Sequence, residues 1–340
     1  MVVICYGTRP EVIKVSSVIK ELQKRNIPFK TVFTGQHKEL FEDVRDLVPE
    51  PDFRLNIMRE NQTLNHIVAR IAEGLTDILQ EIDAKVLLVQ GDTSTALTSA
   101  LVAFNMRIPV GHIEAGLRTF NLDSPFPEEA NRQLISRIAT FNWAPTELSA
   151  GYLKNENLKN VTVTGNTVVD MCHDLNYPVK FDDKVLITLH RRENFGERME
   201  NYFRQIEALA VKHPELKFIF PMHPNPNVQK HKYLLKHVEV TSPMSYFPFI
   251  KELSEAKCII TDSGGVQEEA GTFKKRILLC RDTTERMEGV HAGFVTMVEN
   301  DLEAEFEKVL QNPQYDGANP FGEGKAAQII VDEIEARITL

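Results

Sequence analysis

The run Lys85-Val86-Leu87-Leu88-Val89-Gln90 is apolar almost without interruption and stops at Gly91-Asp92. A strand with one wet face alternates apolar and polar residues. A strand without alternation is buried on both faces, as in parallel sheets covered by helices. Parallel strands need a crossover of a dozen residues or more, so one such run already predicts β-α alternation. The chain supplies it. Apolar runs at 2–6, 29–35 (ending before the turn Gln36-His37), 85–90, 109–113, 140–145 and 161–165 predict strands of a first block. Between the second and third, Leu64, Ile67, Val68, Ile71, Leu75, Ile78, Leu79 and Ile82 recur at helical spacing and predict a helix over 63–82.

The stretch from Asn176 to Lys184 is polar and carries Pro178, which marks it as a linker. Beyond it the alternation restarts, with strands predicted at 185–190, 217–223, 238–241, 258–261, 277–280 and 294–298. Helices are predicted from Phe249, over 302–310 and over 324–338. Two such blocks predict an α/β protein of two doubly wound domains facing one cleft, with boundaries at 1–175 and 176–323. At 340 residues, each domain has enough chain for a buried core.

Open α/β sheets bind ligands at the carboxyl ends of their strands. Glu114 stands at such an end, after Pro109-Val110-Gly111-His112-Ile113, where the chain turns through Gly116. Asp92 ends the preceding strand; it is either the cap of the helix that follows or a site residue. A loop then delivers Glu128 and Glu129 to the first turn of a helix opened by Pro127. Carboxylates there complement the helix dipole, and Glu129 is assigned to that role. Glu114, Asp92 and Glu128 form a candidate carboxylate wall.

Other strand ends offer positive charge. Gly7-Thr8-Arg9-Pro10 leads from strand to helix, either as an ordinary turn with a solvated Arg9 or as an anion site. Thr261-Asp262-Ser263-Gly264-Gly265 ends a strand and opens a helix with bare N–H groups, which suits an anion; a glycine turn for tight packing is the other reading. Glu269, one turn later, is placed to accept hydrogen bonds from ribose hydroxyls. His190-Arg191-Arg192 and Arg281 to Arg286 add cations at strand ends.

The net charge of −9 argues against a nucleic-acid partner, which needs a dense basic face. Cys5, Cys172, Cys258 and Cys280 form no CxxC and predict buried, reduced thiols in a cytoplasmic protein. No apolar run approaches the ~18 residues of a membrane span. The chain opens on a strand, so no signal peptide is expected. The histidines lack metal spacing, and no metal or other cofactor is expected.

Gly7-Thr8-Arg9-Pro10-Glu11, Gln90-Gly91-Asp92-Thr93, His112 to Thr119, Pro127 to Arg132, His190-Arg191-Arg192-Glu193, Thr261 to Glu269 and Arg281 to Arg286 stand in one order along the chain. In that order they resemble the non-hydrolysing UDP-N-acetylglucosamine 2-epimerases, from Val2 to beyond Gly322. The resemblance implies the glycosyltransferase-B architecture, with two Rossmann-like domains and a last helix, 324–340, packing back on the first. It implies a homodimer acting on UDP-GlcNAc. UDP would leave to give a 2-acetamidoglucal and add back to give UDP-ManNAc. Asp92, Glu114, Glu128 and His190 match catalytic positions. Arg9, Lys14, Arg132, Phe249, Ser263, Gly264, Gly265, Glu269 and Arg286 match substrate-binding ones, with Phe249 near the uracil. Gln36 and His223 match a second UDP-GlcNAc site that activates many bacterial members.

The chain departs from the family pattern at Val15-Ser16-Ser17, at Met287 and Gly289, and at Asn61, where an arginine is common in the second site. Three other functions share these motifs or this architecture: a hydrolysing epimerase releasing ManNAc, a glycosyltransferase, and a non-catalytic nucleotide-sugar-binding regulator.

Overall fold

The computed structural model describes residues 1–36, 42–59, 61–298 and 301–339. His37 and Leu340 lie outside them. The chain divides into one unit of Met1–Met171 with Phe321–Leu340 and a second of Cys172–Pro320.

The first unit holds a seven-stranded parallel sheet of β1 (Val2–Tyr6), β2 (Phe29–Phe33), β3 (Phe53–Arg54), β4 (Val86–Gln90), β5 (Val110–Ile113), β6 (Phe141–Ala144) and β7 (Val161–Val163). Their order is β3-β2-β1-β4-β5-β6-β7, which reverses between β1 and β4. Carboxyl ends of strands at such a reversal are where doubly wound sheets hold ligands. All five residues of β4 are buried, as the missing alternation requires. Leu75 and Leu79 of the helix Leu64–Glu81 pack on one face with Val3, Leu87 and Val89. Gly111 is needed on β5 because a Cβ there would lie 2.4 Å from the ring of Trp143.

The last helix, Ala326–Arg337, belongs to this unit. Asp170 accepts from the N–H groups of Ala326 and Ala327 at 3.1 and 2.9 Å and so caps it. Trp143 donates to Glu333 at 2.8 Å, and Arg25 pairs with Asp332 and Glu335.

The second unit holds a six-stranded parallel sheet of β8 (Lys184–Thr188), β9 (Lys217–Pro221), β10 (Glu239–Thr241), β11 (Cys258–Thr261), β12 (Ile277–Leu279) and β13 (Val295–Met297). Its order is β10-β9-β8-β11-β12-β13, reversing between β8 and β11. Tyr202, Phe203, Phe218, Phe220 and Phe306 dominate its core.

Several elements differ from expectation for local reasons. β8 stops at Thr188 because the N–H of His190 leaves the ladder for the Asp262 carboxylate. The helix expected from Phe249 runs Tyr246–Glu255, since Pro248 sits in the first turn, where a missing N–H costs nothing. Helices Glu147–Asn155 and Thr167–Leu175 were not anticipated, although Thr146 caps the former by accepting from Ser149. The linker segment docks in the second unit, with Lys180 and Asp182 donating to Ser254 and Glu255 carbonyls. All four cysteines are buried and free, and burial pushes Cys5 and Cys258 up to about 12. No helix among the described residues is long and apolar enough to cross a membrane.

Candidate active site

In the first unit the acidic strand ends stand side by side. Gln90 of β4 pairs with Ile113 of β5, so Glu114 follows its strand directly and Asp92 follows the neighbouring one a residue later. Glu114 has a φ of +67°, a region that costs a non-glycine residue of order 1–3 kcal/mol and collects at functional sites. Its carboxylate is buried and accepts from three side chains: Lys14 and Asn166 on Oε1, the latter at 2.8 Å, and Gln90 on Oε2. Three donors on one carboxylate favour its ionised form. Lys14, expected among the substrate-binding residues, thus has its ammonium on Glu114.

Asp92 is not the cap of the following helix; Thr93 is, accepting from Ala96 at 3.0 Å. Asp92 instead pairs with Arg132 at 2.7 Å, and Asn131 donates to its carbonyl at 2.8 Å. Both partners lie on the helix Glu128–Ile138, so Asp92 is tied to the helix that starts with Glu128. Glu128 is half-buried, and its carboxylate has no hydrogen bond or ion pair among the described residues. Arg132, expected to bind substrate, is held between Asp92 and Glu129 at 2.7 and 3.2 Å.

Glu129 does more than complement a dipole. It is fully buried and accepts from the N–H groups of Thr119 and Phe120 at 3.0 and 3.1 Å, fixing the loop that leads to Glu128. His112 is also fully buried; its Nε2 donates to the Gly91 carbonyl at 2.8 Å, and burial lowers it to about 4. It is therefore neutral near pH 7.

At the head of the helix Arg9–Lys24, Glu11 accepts from the N–H groups of Gly7 and Thr8 and from the Thr93 hydroxyl. It joins the β1 and β4 loops, and burial raises its carboxyl against those donors. Arg9 is half-buried and lies 3.6 Å from Asp43. Gln36 accepts from Thr95 at 2.8 Å, and the exposed Asn61 has a φ of +55°, which asparagine tolerates better than arginine.

In the second unit Asp262, fully buried at the end of β11, accepts from the N–H groups of His190 and Arg191 and from Asn194 at 2.9, 2.8 and 3.0 Å. It sets the turn that presents the half-exposed His190 imidazole, which stacks on His223 with centroids 5.6 Å apart. His223, expected in a second ligand site, is thus a direct neighbour of His190.

Ser263 is the N-cap of the helix Gly264–Thr272. A Cβ at Gly264 would lie 2.7 Å from the Arg286 guanidinium, whereas one at Gly265 would meet nothing within 4 Å. Glycine at 264 lets Arg286 close in, and glycine at 265 leaves the helix start open. Arg286 is buried between Glu268, at 2.7 Å, and Glu285. Arg281 pairs with Glu193 and Glu285. Burial alone would raise the Glu285 carboxyl, but Arg286 and then Arg281 hold it far below the usual range. Arg281 and Arg286 are therefore each fixed by a buried glutamate. Glu269 is buried, and its charge, after burial itself, pushes the Tyr246 phenol upward. Phe249 is half-buried on the helix Tyr246–Glu255.

Gln90, Asn166, Glu11, Asp262, Glu268 and Glu285 were not anticipated as site residues. Gln90, Glu11, Asp262, Glu268 and Glu285 lie inside or beside the motifs, and a polar residue inside a buried strand end was the available signal for Gln90. Nothing local marked Asn166.

A family model described as UDP-N-acetylglucosamine 2-epimerase matches residues 20–335. The UDP-N-acetylglucosamine 2-epimerase of Neisseria meningitidis serogroup A is 42% identical over 97% of each chain. That of Escherichia coli K12 is 40% identical over 97% of each chain. The crystal structure of UDP-GlcNAc 2-epimerase from Neisseria meningitidis bound to UDP-GlcNAc has a TM-score of 0.90 at 39% identity, covering 99% of this chain and 100% of that one. Two Rossmann-like α/β domains of the glycosyltransferase-B type are the fold of such neighbours. The paired acidic strand ends, the open helix start and the match over nearly every residue lead to one assignment: the chain belongs to the UDP-N-acetylglucosamine 2-epimerase family.

Proposed function

We propose that the protein interconverts UDP-GlcNAc and UDP-ManNAc by elimination and re-addition of UDP, without hydrolysis. The observation that carries this reading is Glu114: a buried carboxylate that accepts from three side-chain donors, at the strand end beside Asp92. A carboxylate removes the C2 proton, the C1–oxygen bond breaks, and UDP departs with the electron pair, leaving a C1–C2 double bond. UDP oxygen then attacks C1 while a proton reaches C2 from the opposite face.

Inversion needs proton-handling groups on both faces of the sugar. Glu114 from a strand end and Glu128 from a helix start are suited to that pair, and Asp92, locked to Arg132, completes the wall. The C2 proton is weakly acidic, so the reaction depends on stabilising the charge that develops on UDP. The second unit supplies the N–H groups of Ser263, Gly264 and Gly265, the His190 imidazole and Arg286 for this task, with Arg9 as a further cation. Glu269 serves the ribose hydroxyls and Phe249 the uracil. Lys14 acts through Glu114, and Gln36 and His223 remain the candidates for a second ligand site.

The protein is proposed to act in the cytoplasm as a homodimer. Leu64, Val68, Leu101, Phe104 and Leu134 are exposed on three successive helices of the first unit, an apolar face suited to a second copy. Incubation with UDP-GlcNAc followed by NMR tests the reaction. Appearance of UDP-ManNAc supports it; free ManNAc with UDP, transfer of the sugar, or no conversion each contradicts it.

A further inference from the structure

Asn166 follows β7 and precedes the helix Thr167–Leu175, and it is buried. Its four polar groups have separate partners, the backbone carbonyl accepting from the Val169 N–H at 2.9 Å. Nδ2 donates to Glu114 at 2.8 Å, Oδ1 accepts from the Val168 N–H at 3.3 Å, and its own N–H donates to the Phe321 carbonyl at 2.6 Å. On either side of that last bond, Gly165 and Gly322 approach so closely that a Cβ on Gly322 would lie 2.9 Å from the Gly165 Cα. The amide plane is therefore fixed from both ends and aimed at the carboxylate.

We propose that Asn166 is a positioning residue for the reaction: its amide sets the direction and the ionised state of the Glu114 carboxylate. The inference rests on the reading of Glu114 as a proton-handling group. A residue needed only to cap the next helix would use its side-chain oxygen alone, and Asp or Ser would serve equally well there. What only asparagine supplies is a neutral N–H donor to Glu114 alongside that oxygen. Among the described residues, Lys14 from the helix Arg9–Lys24 and, when protonated, His112 from β5 are charged groups that act on Glu114, and a substitution at 166 leaves both in the chain.

Two variants separate the roles. Asn166→Asp keeps the capping oxygen but replaces the donor with a second negative charge. Asn166→Ser keeps the cap without that charge, and carries the test if the aspartate variant does not fold. Each is measured for kcat, KM, UDP affinity, melting temperature and the pH dependence of turnover, beside the wild type. The expected result is a fall in kcat of about 10- to 100-fold, the effect of losing a hydrogen bond to a charged group, larger for Asp than for Ser. UDP affinity stays unchanged, and the acid limb of the pH profile moves to higher pH. Wild-type kcat and pH profile in both variants overturn the inference. So does a parallel loss of kcat, UDP affinity and melting temperature, which marks a structural role. An inactive wild type overturns the epimerase reading itself, and the inference with it.

Discussion

The Lys14 ammonium, from the first turns of a helix, sits on the Glu114 carboxylate at a strand end 100 residues away. Both side chains are more than nine-tenths buried. Removing one partner of such a pair leaves a charge in low dielectric, which costs about 3 kcal/mol or more. Lys14→Met is expected to lower stability by that order in urea denaturation and to depress kcat at every pH. A melting temperature equal to wild type would show that Glu114 does not depend on this pair.

His112 gives a pH signature. Its folded value is lowered from 6.5 to about 4 by burial, so between those values the unfolded chain binds a proton that the native one does not. Its contribution to stability is present above pH 6.5 and is lost as pH falls toward 4. The loss amounts to about 3 kcal/mol across that window. His112→Gln keeps a donor for the Gly91 carbonyl and removes the titration. Denaturation midpoints measured through the window are expected to fall more steeply for wild type than for the variant as the pH drops. Parallel curves would place a charged imidazole in the fold.

Gly264 and Gly265 are predicted to respond differently to alanine. At 264 the new Cβ meets Arg286, so both stability and UDP affinity fall. At 265 it meets open space, so stability holds or rises by up to about 1 kcal/mol. UDP affinity falls there too if the diphosphate approaches that backbone. Calorimetry of UDP binding beside thermal melts checks the pair; unchanged UDP affinity in Gly265→Ala moves the anion away from this helix start.

Glu114→Gln and Glu128→Gln are each expected to lose ~10²–10⁴-fold in kcat, about 3–5 kcal/mol of barrier, while UDP still binds. Normal turnover in either removes that residue from the mechanism.

The fold was legible because unbroken apolar strands and stripes such as Leu64 to Ile82 report burial directly. Glu114 was legible for the same reason, as a carboxylate where a buried strand stops. Its support was not. Asn166 meets Glu114 only because β7 lies two strands from β5 in the sheet, a proximity that no local periodicity encodes. Asp262 stood inside a recognised motif, yet its role depends on β8 pairing with β11, which brings it to Arg191, 71 residues away in sequence. The shortened β8 has the same origin, since a long-range side chain took the N–H that a local pattern assigns to the ladder. Arg132 and Arg286 read as cations in sequence, and the partners that fix them, Asp92, Glu129, Glu268 and Glu285, were visible as residues but not as pairs.

The central claim is that carboxylates of the first unit take the proton from C2 and return one to it. Incubation with UDP-GlcNAc in D₂O, followed by NMR, tests it most directly. The account predicts deuterium at C2 in the UDP-ManNAc formed, and in recovered UDP-GlcNAc as the reaction reverses. UDP-ManNAc that appears with its C2 protium retained, or UDP-GlcNAc that stays unlabelled and unconverted, would contradict it.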